Sequence, residues 1–317
     1  MIKDDFMSNQ INIVFASDDN YAQHIAVVIA SIMAKTKEEV CFYVINDNIS
    51  KNKIEKLRDT AVAFKAEIEF ISVPEAKFSN VYLSGHVSKA AYFRLALADI
   101  LPNDIEKVIY LDVDLLVYDD IKKLWKIDLE NLPLAAVPDY GIMASGRLCK
   151  QKADVIGLPI GEKYFNSGVL IINLKEWRKE DYTKQILEII NSNQFPHHDQ
   201  DALNKLFMHK WKVLDLRWNV IPPVFYLFNK VMFNKRLRNS ALEAKSDIAI
   251  LHYAGSYKPW QFKMYNGFND KYYYYLALTA FNNENMPQPA ENMRGKSILR
   301  QLLRLRKADF LSKILKV

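Results

Sequence analysis

Two aspartates one residue apart, Asp112 and Asp114, interrupt the otherwise apolar run YLDVDLLV, Tyr110 to Val117. Burying a carboxylate is costly unless a cation or hydrogen bonds go with it, so the pair raises the question of its partner. On a strand, side chains two apart face the same side. Both carboxylates can then converge on one point, which suits a metal ion or a cationic side chain; a salt-bridged strand end accounts for the same two residues. His252 lies at the end of a second apolar run, within AILHYAGSYKPW, Ala249 to Trp260. A lone histidine there is more often a hydrogen-bonded core residue than a ligand. Two carboxylates with one imidazole nonetheless suit a divalent ion such as Mn2+ better than Mg2+, which prefers all-oxygen shells. Cys41 and Cys149 are far apart and have no paired cysteine or histidine beside them. Neither a structural zinc site nor a disulfide is expected, and a reducing cytoplasm is the default compartment.

Several elements must position these residues. Ile11–Ala16 reads as a buried strand, followed by the polar break SDDNYAQ and an apolar helix to about Lys35. Val40–Asn46 is a second strand, and Ser50 caps a helix running through KNKIEKLRDTAVAF. Ile68–Val73 is a third strand. Ser88–Leu101 has apolar residues at helical spacing, Lys107–Val117 is a fourth strand and Leu134–Asp139 a fifth. Strands alternating with helices predict a mostly parallel sheet with helices on both faces. Ligands of such sheets sit at the carboxyl ends of the strands. Asp18, Asp112 with Asp114, and Asp139 all fall at or just past such an end.

The chain has 317 residues, half of them hydrophobic and a quarter charged, a soluble globular composition. Its start, MIKDDFMSNQ, is polar and acidic and does not read as a secretory signal. The longest purely apolar run, Ile25 to Ala34, is too short to span a bilayer. The net charge of +6 is confined to one end: Glu291–Val317 carries eight basic residues against Glu291 and Asp309, leaving 35 of each sign elsewhere. That distribution argues against a nucleic-acid-binding body. Asn282–Gly295, with two prolines, reads as a linker, so a catalytic unit of residues 1–281 and a tail of residues 282–317 are expected. In the tail, Ile298, Leu299, Leu302 and Leu303 share a helical face opposite Arg300 and Arg304. Such a helix can pack on the body. Because the tail holds all the net charge, an interfacial basic helix on anionic lipid is the expectation, with Tyr272–Tyr275 as added anchors.

Six blocks carry a family resemblance: VFASDDNY (Val14–Tyr21), AAYFRLAL (Ala90–Leu97), VIYLDVDLLV (Val108–Val117), YFNSGVLIINLKEW (Tyr164–Trp177), HHDQDALN (His197–Asn204) and HYAGSYKPW (His252–Trp260). In this order they resemble family 8 of the glycosyltransferases, most closely its bacterial lipooligosaccharide and lipopolysaccharide galactosyl- or glucosyltransferase branch, with glycogenin more distant. The resemblance implies an α/β GT-A fold, a Rossmann-like mixed sheet with helices on both faces. It also implies a UDP-galactose or UDP-glucose donor, Mn2+, and transfer to a saccharide acceptor with retention of anomeric configuration. A lipid-linked acceptor would suit an enzyme at the inner face of the cytoplasmic membrane.

Carried over residue by residue, Asp112, Asp114 and His252 match the metal ligands, with Val113 between the aspartates in the donor site. Ser17, Asp18, Asp19, Asn20, Tyr21, Ala22 and Gln23 match the segment folded over uracil and ribose. Asp18 and Asn20 there are equally suited to a turn and helix cap. Arg94 matches an arginine near the donor's sugar and phosphates; its neighbours Phe93 and Leu95 do not suggest a solvated side chain. Gly255, Ser256 and Lys258 match the loop after the histidine, where glycine admits backbone close to a diphosphate and lysine adds charge. Trp260 reads as packing. Asn166, Ser167, Asp199 and Gln200 match the pocket around the transferred hexose, with Asp139 a further member. An N-cap role would also explain an aspartate at Asp199, and Ser167 stands where relatives often carry alanine.

Double displacement needs a carboxylate nucleophile under the anomeric carbon, yet the matching position is Gln200, an amide. Same-face substitution is therefore expected, with Asp199 and Asp139 as the carboxylates to test. A nucleotidyltransferase also uses paired aspartates, but it usually has a glycine-rich phosphate loop near the first helix, and no glycine precedes Gly85. A non-catalytic sugar-nucleotide-binding protein is disfavoured by the intact Asp112, Asp114 and His252.

Overall fold

The computed structural model describes residues 10–73, 92–193, 195–226, 234–255, 258–261 and 268–282, and Leu303. Nine strands occur among them: β1 (Ile11–Asp18), β2 (Val40–Asp47), β3 (Glu67–Ser72), β4 (Lys107–Leu111), β5 (Leu115–Val117), β6 (Leu134–Pro138), β7 (Phe165–Asn173), β8 (Trp211–Val213) and β9 (Ile250–His252). Seven form one sheet in the order β3-β2-β1-β4-β7-β6-β8, and β5 pairs with β9 in a second, small sheet. β1 runs parallel to β2 and β4, and β2 to β3, whereas β7 is antiparallel to both its neighbours. The sheet is thus mixed. Ile11, Ile13 and Phe15 of β1 face one apolar cluster, while Val14 and Ala16 face another on the opposite side. Period-two strands buried on both faces are apolar throughout.

Helix Ala22–Met33 leaves no polar face: His24 to Ile32 are all buried. It carries the first core cluster together with helix Asn269–Leu276. The opposite face is covered by helices Leu174–Lys179, Tyr182–Asn191 and His198–Leu206, around Trp177, Tyr182 and Phe207. Ser50 does occupy an N-cap position, before helix Lys51–Ala63, though its hydroxyl makes no capping bond.

Three expectations are corrected. The run Lys107–Val117 is not one strand: β4 ends at Leu111 and β5 begins at Leu115 in the other sheet. β4 stays in register with β7 only as far as Leu111 and Val169, and β5 finds a different partner in β9. Within Ser88–Leu101 the described part is broken, with a 3-10 turn at Arg94–Ala96 before a short helix, Leu97–Ile100. Tyr272–Tyr275 does not present a joint surface. At helical spacing Tyr272 and Tyr275 turn inward and are buried, leaving Tyr274 58% exposed. The tail, apart from Asn282 and Leu303, lies outside the described residues. No helix among the described residues is long and apolar enough to cross a membrane.

The reversed strand is what assembles the site. Because β7 runs against β4 and β6, its N-terminal end lies beside their C-terminal ends. Between Ala136 and Val137 the β6–β7 register shifts from Leu170 to Asn166. Ser167 and Gly168 are released from β6 at that irregularity, and Gly168 O accepts from the Asp112 amide at 2.8 Å.

Candidate active site

Asp112, Val113 and Asp114 form the bend between β4 and β5. Each aspartate is anchored by backbone to a different neighbour: Asp112 N donates to Gly168 O, and Asp114 O accepts from Tyr253 N at 2.8 Å. His252 ends β9 and pairs with Leu115, the residue after the bend. Ligand atoms of Asp112, Asp114 and His252 consequently lie within 4.8 Å of one another. His252 Nε2 is 3.1 Å from Asp114 Oδ1 and 3.7 Å from Asp112 Oδ2. Its Nδ1 faces Asn219 Oδ1 at 2.9 Å. The Asn219 amide nitrogen is committed to Asn166 Oδ1 at 2.8 Å, so Asn219 offers an acceptor to the ring. Nδ1 then carries a proton, and Nε2 is the ring atom that faces the carboxylates.

Gly168 fits this arrangement by its missing side chain. A Cβ there would lie 2.4 Å from His252 Cε1 and 2.6 Å from Asp112 Oδ2. Two carboxylates, one imidazole nitrogen and a wall kept clear by glycine fit a divalent cation.

Cations already brace both carboxylates. Lys258 donates to Asp114 and to Tyr253 O. Burial alone would raise the Asp114 carboxyl, but the Lys258 ammonium and the His252 ring hold it well below the usual carboxylate range. Arg94 is 7% exposed, with Nη1 2.9 Å from Asp112 Oδ1 and Nε 3.1 Å from Asp199 Oδ2. Its plane lies over the Tyr110 ring, 4.7 Å from the centroid. Burial works against that charge, yet Asp112 and Asp199 raise its pKa above the ordinary value, so it stays protonated. The expectation that Arg94 is not solvated holds. Asp199, by contrast, is pushed up by burial, with Arg94 opposing.

Asp139, Asn166, Ser167 and Gln200 form one hydrogen-bonded group beside Arg94. Gln200 Oε1 accepts from Ser167 N at 3.0 Å, and its Nε2 donates to Asp139 Oδ2 at 3.3 Å. Asn166 Nδ2 donates to the same Asp139 oxygen at 3.2 Å, while Asp139 Oδ1 caps Ile142 N at 3.0 Å. Asp199 is not an N-cap. The cap of helix His198–Leu206 is His197, whose amide donates to Asp201 Oδ2 at 2.9 Å. Asp199 follows His198, whose φ of 41° lies in the left-handed region, and is turned to Arg94.

The β1 end is divided. A cleft of about 190 Å³ is lined by Ala16, Ser17, Asp18, Tyr21, Arg94, Tyr110, Asp112, Val113, Asp114 and Lys258. Asp18 also makes the expected cap, with Oδ1 accepting from Asn20 N and Tyr21 N. Asn20 is exposed at the turn and is not part of the lining. Asp19 faces helix Lys51–Ala63, bound to Lys53 at 2.8 Å and Ser50 N at 2.9 Å; these bonds lower it to about 2. Ala22 is fully buried, and Gln23 donates to the Tyr272 hydroxyl at 3.4 Å. Gly255 takes φ +90° with open space around it, and Ser256 lies outside the described residues. Trp260 is packing, as expected, stacked on His24 at 3.6 Å.

Five residues went unremarked in the sequence. Tyr110 donates to Asp112 Oδ1 at 3.0 Å; its place two before Asp112 was the available signal. A glycine inside the strand FNSGVLIIN marked Gly168 as a close approach. Nothing in WNVIPP pointed to Asn219. Behind Gln200, Lys152 and Asp201 form a fully buried ion pair at 2.6 Å, which no local pattern reveals.

A family model described as Glycosyl transferase family 8 matches residues 12–264. The chain is similar to general stress protein A of Bacillus subtilis (strain 168), 33% identical over 296 residues, 90% of this chain and 99% of that one. It is also similar to a lipopolysaccharide 1,2-glucosyltransferase of Escherichia coli, 28% identical over 257 residues, 78% of this chain and 73% of that one. Among solved structures, the galactosyltransferase LgtC in complex with donor and acceptor sugar analogs is 30% identical. Its TM-score is 0.71, covering 85% of this chain and 96% of that one.

Proposed function

Because the chain belongs to glycosyl transferase family 8, we propose that it transfers galactose or glucose from UDP to a saccharide acceptor with retention of configuration. The observation that carries this reading is the convergence of Asp112, Asp114 and His252, the two aspartates lining a cleft together with Arg94 and Lys258. Asp112, Asp114 and His252 would hold a divalent ion, Mn2+ before Mg2+ given the imidazole ligand. When bound, that ion supplies Lewis-acid stabilisation of the charge that develops on the leaving diphosphate. Arg94 and Lys258 add fixed positive charge on either side of the same point.

Asp18 and Tyr21, which line the same cleft, are our candidates for the ribose and uracil, with Asn20 exposed beside them. Ser17 and Val113 supply walls. Asp139, Asn166, Ser167, Asp199 and Gln200 would orient the hexose hydroxyls. Gln200 is a poor nucleophile, and its carbonyl oxygen is already held by Ser167 N. Asp199 is engaged by Arg94. We therefore favour same-face substitution, with a phosphate oxygen of UDP accepting the acceptor's proton; trapping a glycosyl ester on Asp199 or Asp139 would overturn that choice.

The names of the glucosyl- and galactosyltransferase relatives support a saccharide acceptor of the lipooligosaccharide or lipopolysaccharide core type, presented on lipid. The charge of Glu291–Val317 supports a peripheral position at the inner face of the cytoplasmic membrane, reached through residues 282–317. The deciding experiment is a panel of UDP-sugars assayed with and without Mn2+ for donor hydrolysis. UDP-galactose or UDP-glucose should be consumed only with a divalent ion present. Full activity without any divalent ion, or no turnover of any UDP-hexose, refutes the assignment.

A further inference from the structure

We infer that Asn219 is a positioning residue for the proposed metal centre, coupling its histidine to the hexose pocket through a one-way chain of hydrogen bonds. This rests on the metal and donor reading above. His252 Nδ1 donates to Asn219 Oδ1 at 2.9 Å, Asn219 Nδ2 donates to Asn166 Oδ1 at 2.8 Å, and Asn166 Nδ2 donates to Asp139 Oδ2 at 3.2 Å. His252 is 3% exposed, Asn219 1%, Asn166 9% and Asp139 8%. Water therefore has little access to substitute for any link.

The direction is fixed at both ends. Asn166 Oδ1 also accepts from Gly168 N at 3.0 Å, so that oxygen cannot exchange places with its amide nitrogen without losing two donors. Asp139 Oδ2 is a carboxylate oxygen and only accepts. Every amide in between is thereby oriented, and the ring's Nδ1 is left as the donor. A second contact holds Asn219 itself in place. Val220 N donates to Ile250 O at 2.9 Å and His252 N donates to Val220 O at 3.0 Å, so the segment carrying Asn219 runs alongside β9. Outer partners of this kind hold a ligating imidazole in one tautomer and orientation. Here the partner reaches on to Asp139 and, through it, to Gln200 Nε2. Satisfied buried networks of this sort are rigid, and a break is felt along their length.

Two substitutions separate the halves of the relay. Asn219→Leu removes both bonds. Asn219→Asp keeps an acceptor for His252 but sets a carboxylate oxygen against Asn166 Oδ1, and Asn166 relieves that clash only by turning its own oxygen to Asp139. Mn2+ binding is read by electron paramagnetic resonance of free Mn2+ with no sugar nucleotide present, and folding by circular dichroism. Asn219→Leu should weaken Mn2+ binding by about 10- to 100-fold. Asn219→Asp should bind Mn2+ within about threefold of wild type or tighter, yet lose at least tenfold in kcat for UDP-hexose with a smaller change in KM. Should the leucine variant fail to fold, the aspartate variant alone decides. Equal Mn2+ affinity in wild type and the leucine variant overturns the inference while leaving the metal reading intact. So does a tenfold affinity loss in the aspartate variant. A wild-type protein that binds no Mn2+ overturns both, which this activity-independent measurement tells apart.

Discussion

Replacing Lys152 with methionine removes a charge from a place that water does not reach. The Lys152 and Asp201 side chains are both 0% exposed, with Nζ 2.6 Å from Asp201 Oδ1 and 2.7 Å from His197 Nδ1. Methionine keeps most of the stem, so little cavity opens. The main cost is Asp201, left with the Tyr164 hydroxyl at 2.7 Å and the His197 amide at 2.9 Å but no cation. Breaking a buried pair from one side costs about 3–5 kcal/mol. A ceiling also applies, because the variant can fold with that carboxyl protonated. An ordinary aspartate titrates near 3.9, so protonating one costs about 4 kcal/mol at pH 7 and about 1.5 kcal/mol at pH 5. The expected loss is therefore about 3–4 kcal/mol at pH 7, shrinking to about 1.5 kcal/mol or less at pH 5. Urea denaturation followed by tryptophan fluorescence at both pH values measures it. A loss under about 1 kcal/mol at pH 7, or one that does not shrink at pH 5, refutes the reasoning. Catalysis should fall as well, since Asp201 holds the His197 amide just ahead of the left-handed His198 that presents Asp199.

Three further outcomes are expected. Gly168→Ala places a methyl group 2.4 Å from His252 Cε1; displacement on the scale of 1 Å at reacting groups lowers turnover by about 100-fold, and a near-normal rate with an intact circular dichroism spectrum would contradict the close approach. His24 is held down to about 3 by burial, with Asp114 opposing. An unfolded histidine takes up its proton near pH 6.5, so the stability present above that pH is lost as pH falls, at about 1.4 kcal/mol per unit. Wild type should lose about 2 kcal/mol more than His24→Gln between pH 6.5 and 5; parallel urea curves would exclude this. Deleting residues 295–317 should leave UDP-sugar hydrolysis intact and reduce sedimentation with anionic vesicles, and unchanged sedimentation would remove the tail from that role.

Much of the frame was legible because strands covered on both faces are apolar throughout, and a run such as INIVFA has few other uses. Asp18, Asp112 and Asp139 were placed correctly at strand ends for the same reason: apolar runs stop where side chains meet a ligand face. What stayed hidden depends on partners distant in sequence. YLDVDLLV contains no break of its own, and only the pairing of Leu115 with His252 divides it. The direction of β7 is equally invisible locally, since buried parallel and antiparallel strands share a composition. A helix cap was one of two readings of Asp199, beside its place in the hexose pocket, because aspartates begin helices. Asp201, two residues on, accepts from the amide of the N-cap residue His197, and Asp199 is turned to Arg94.

The aspartate pair converges, then, for a reason other than strand periodicity. Asp112 belongs to the large sheet through its bond to Gly168, and Asp114 belongs to the small one through Tyr253 and the β5–β9 pairing. His252 is the last residue of that small sheet. The three side chains meet where the two sheets do, and the bend Asp112–Asp114 is the shortest of the chain connections between them. Lys258 and Arg94 each brace one aspartate, so like charges held this close are offset from both sides. A divalent ion held by all three ligands would tie the large sheet to the small one at the cleft where Arg94 and Tyr21 stand. The same backbone bonds that align the ligands thus make the geometry of the centre a property of the packing between sheets, which explains why Gly168 and Asn219, neither of them a ligand, lie against its histidine.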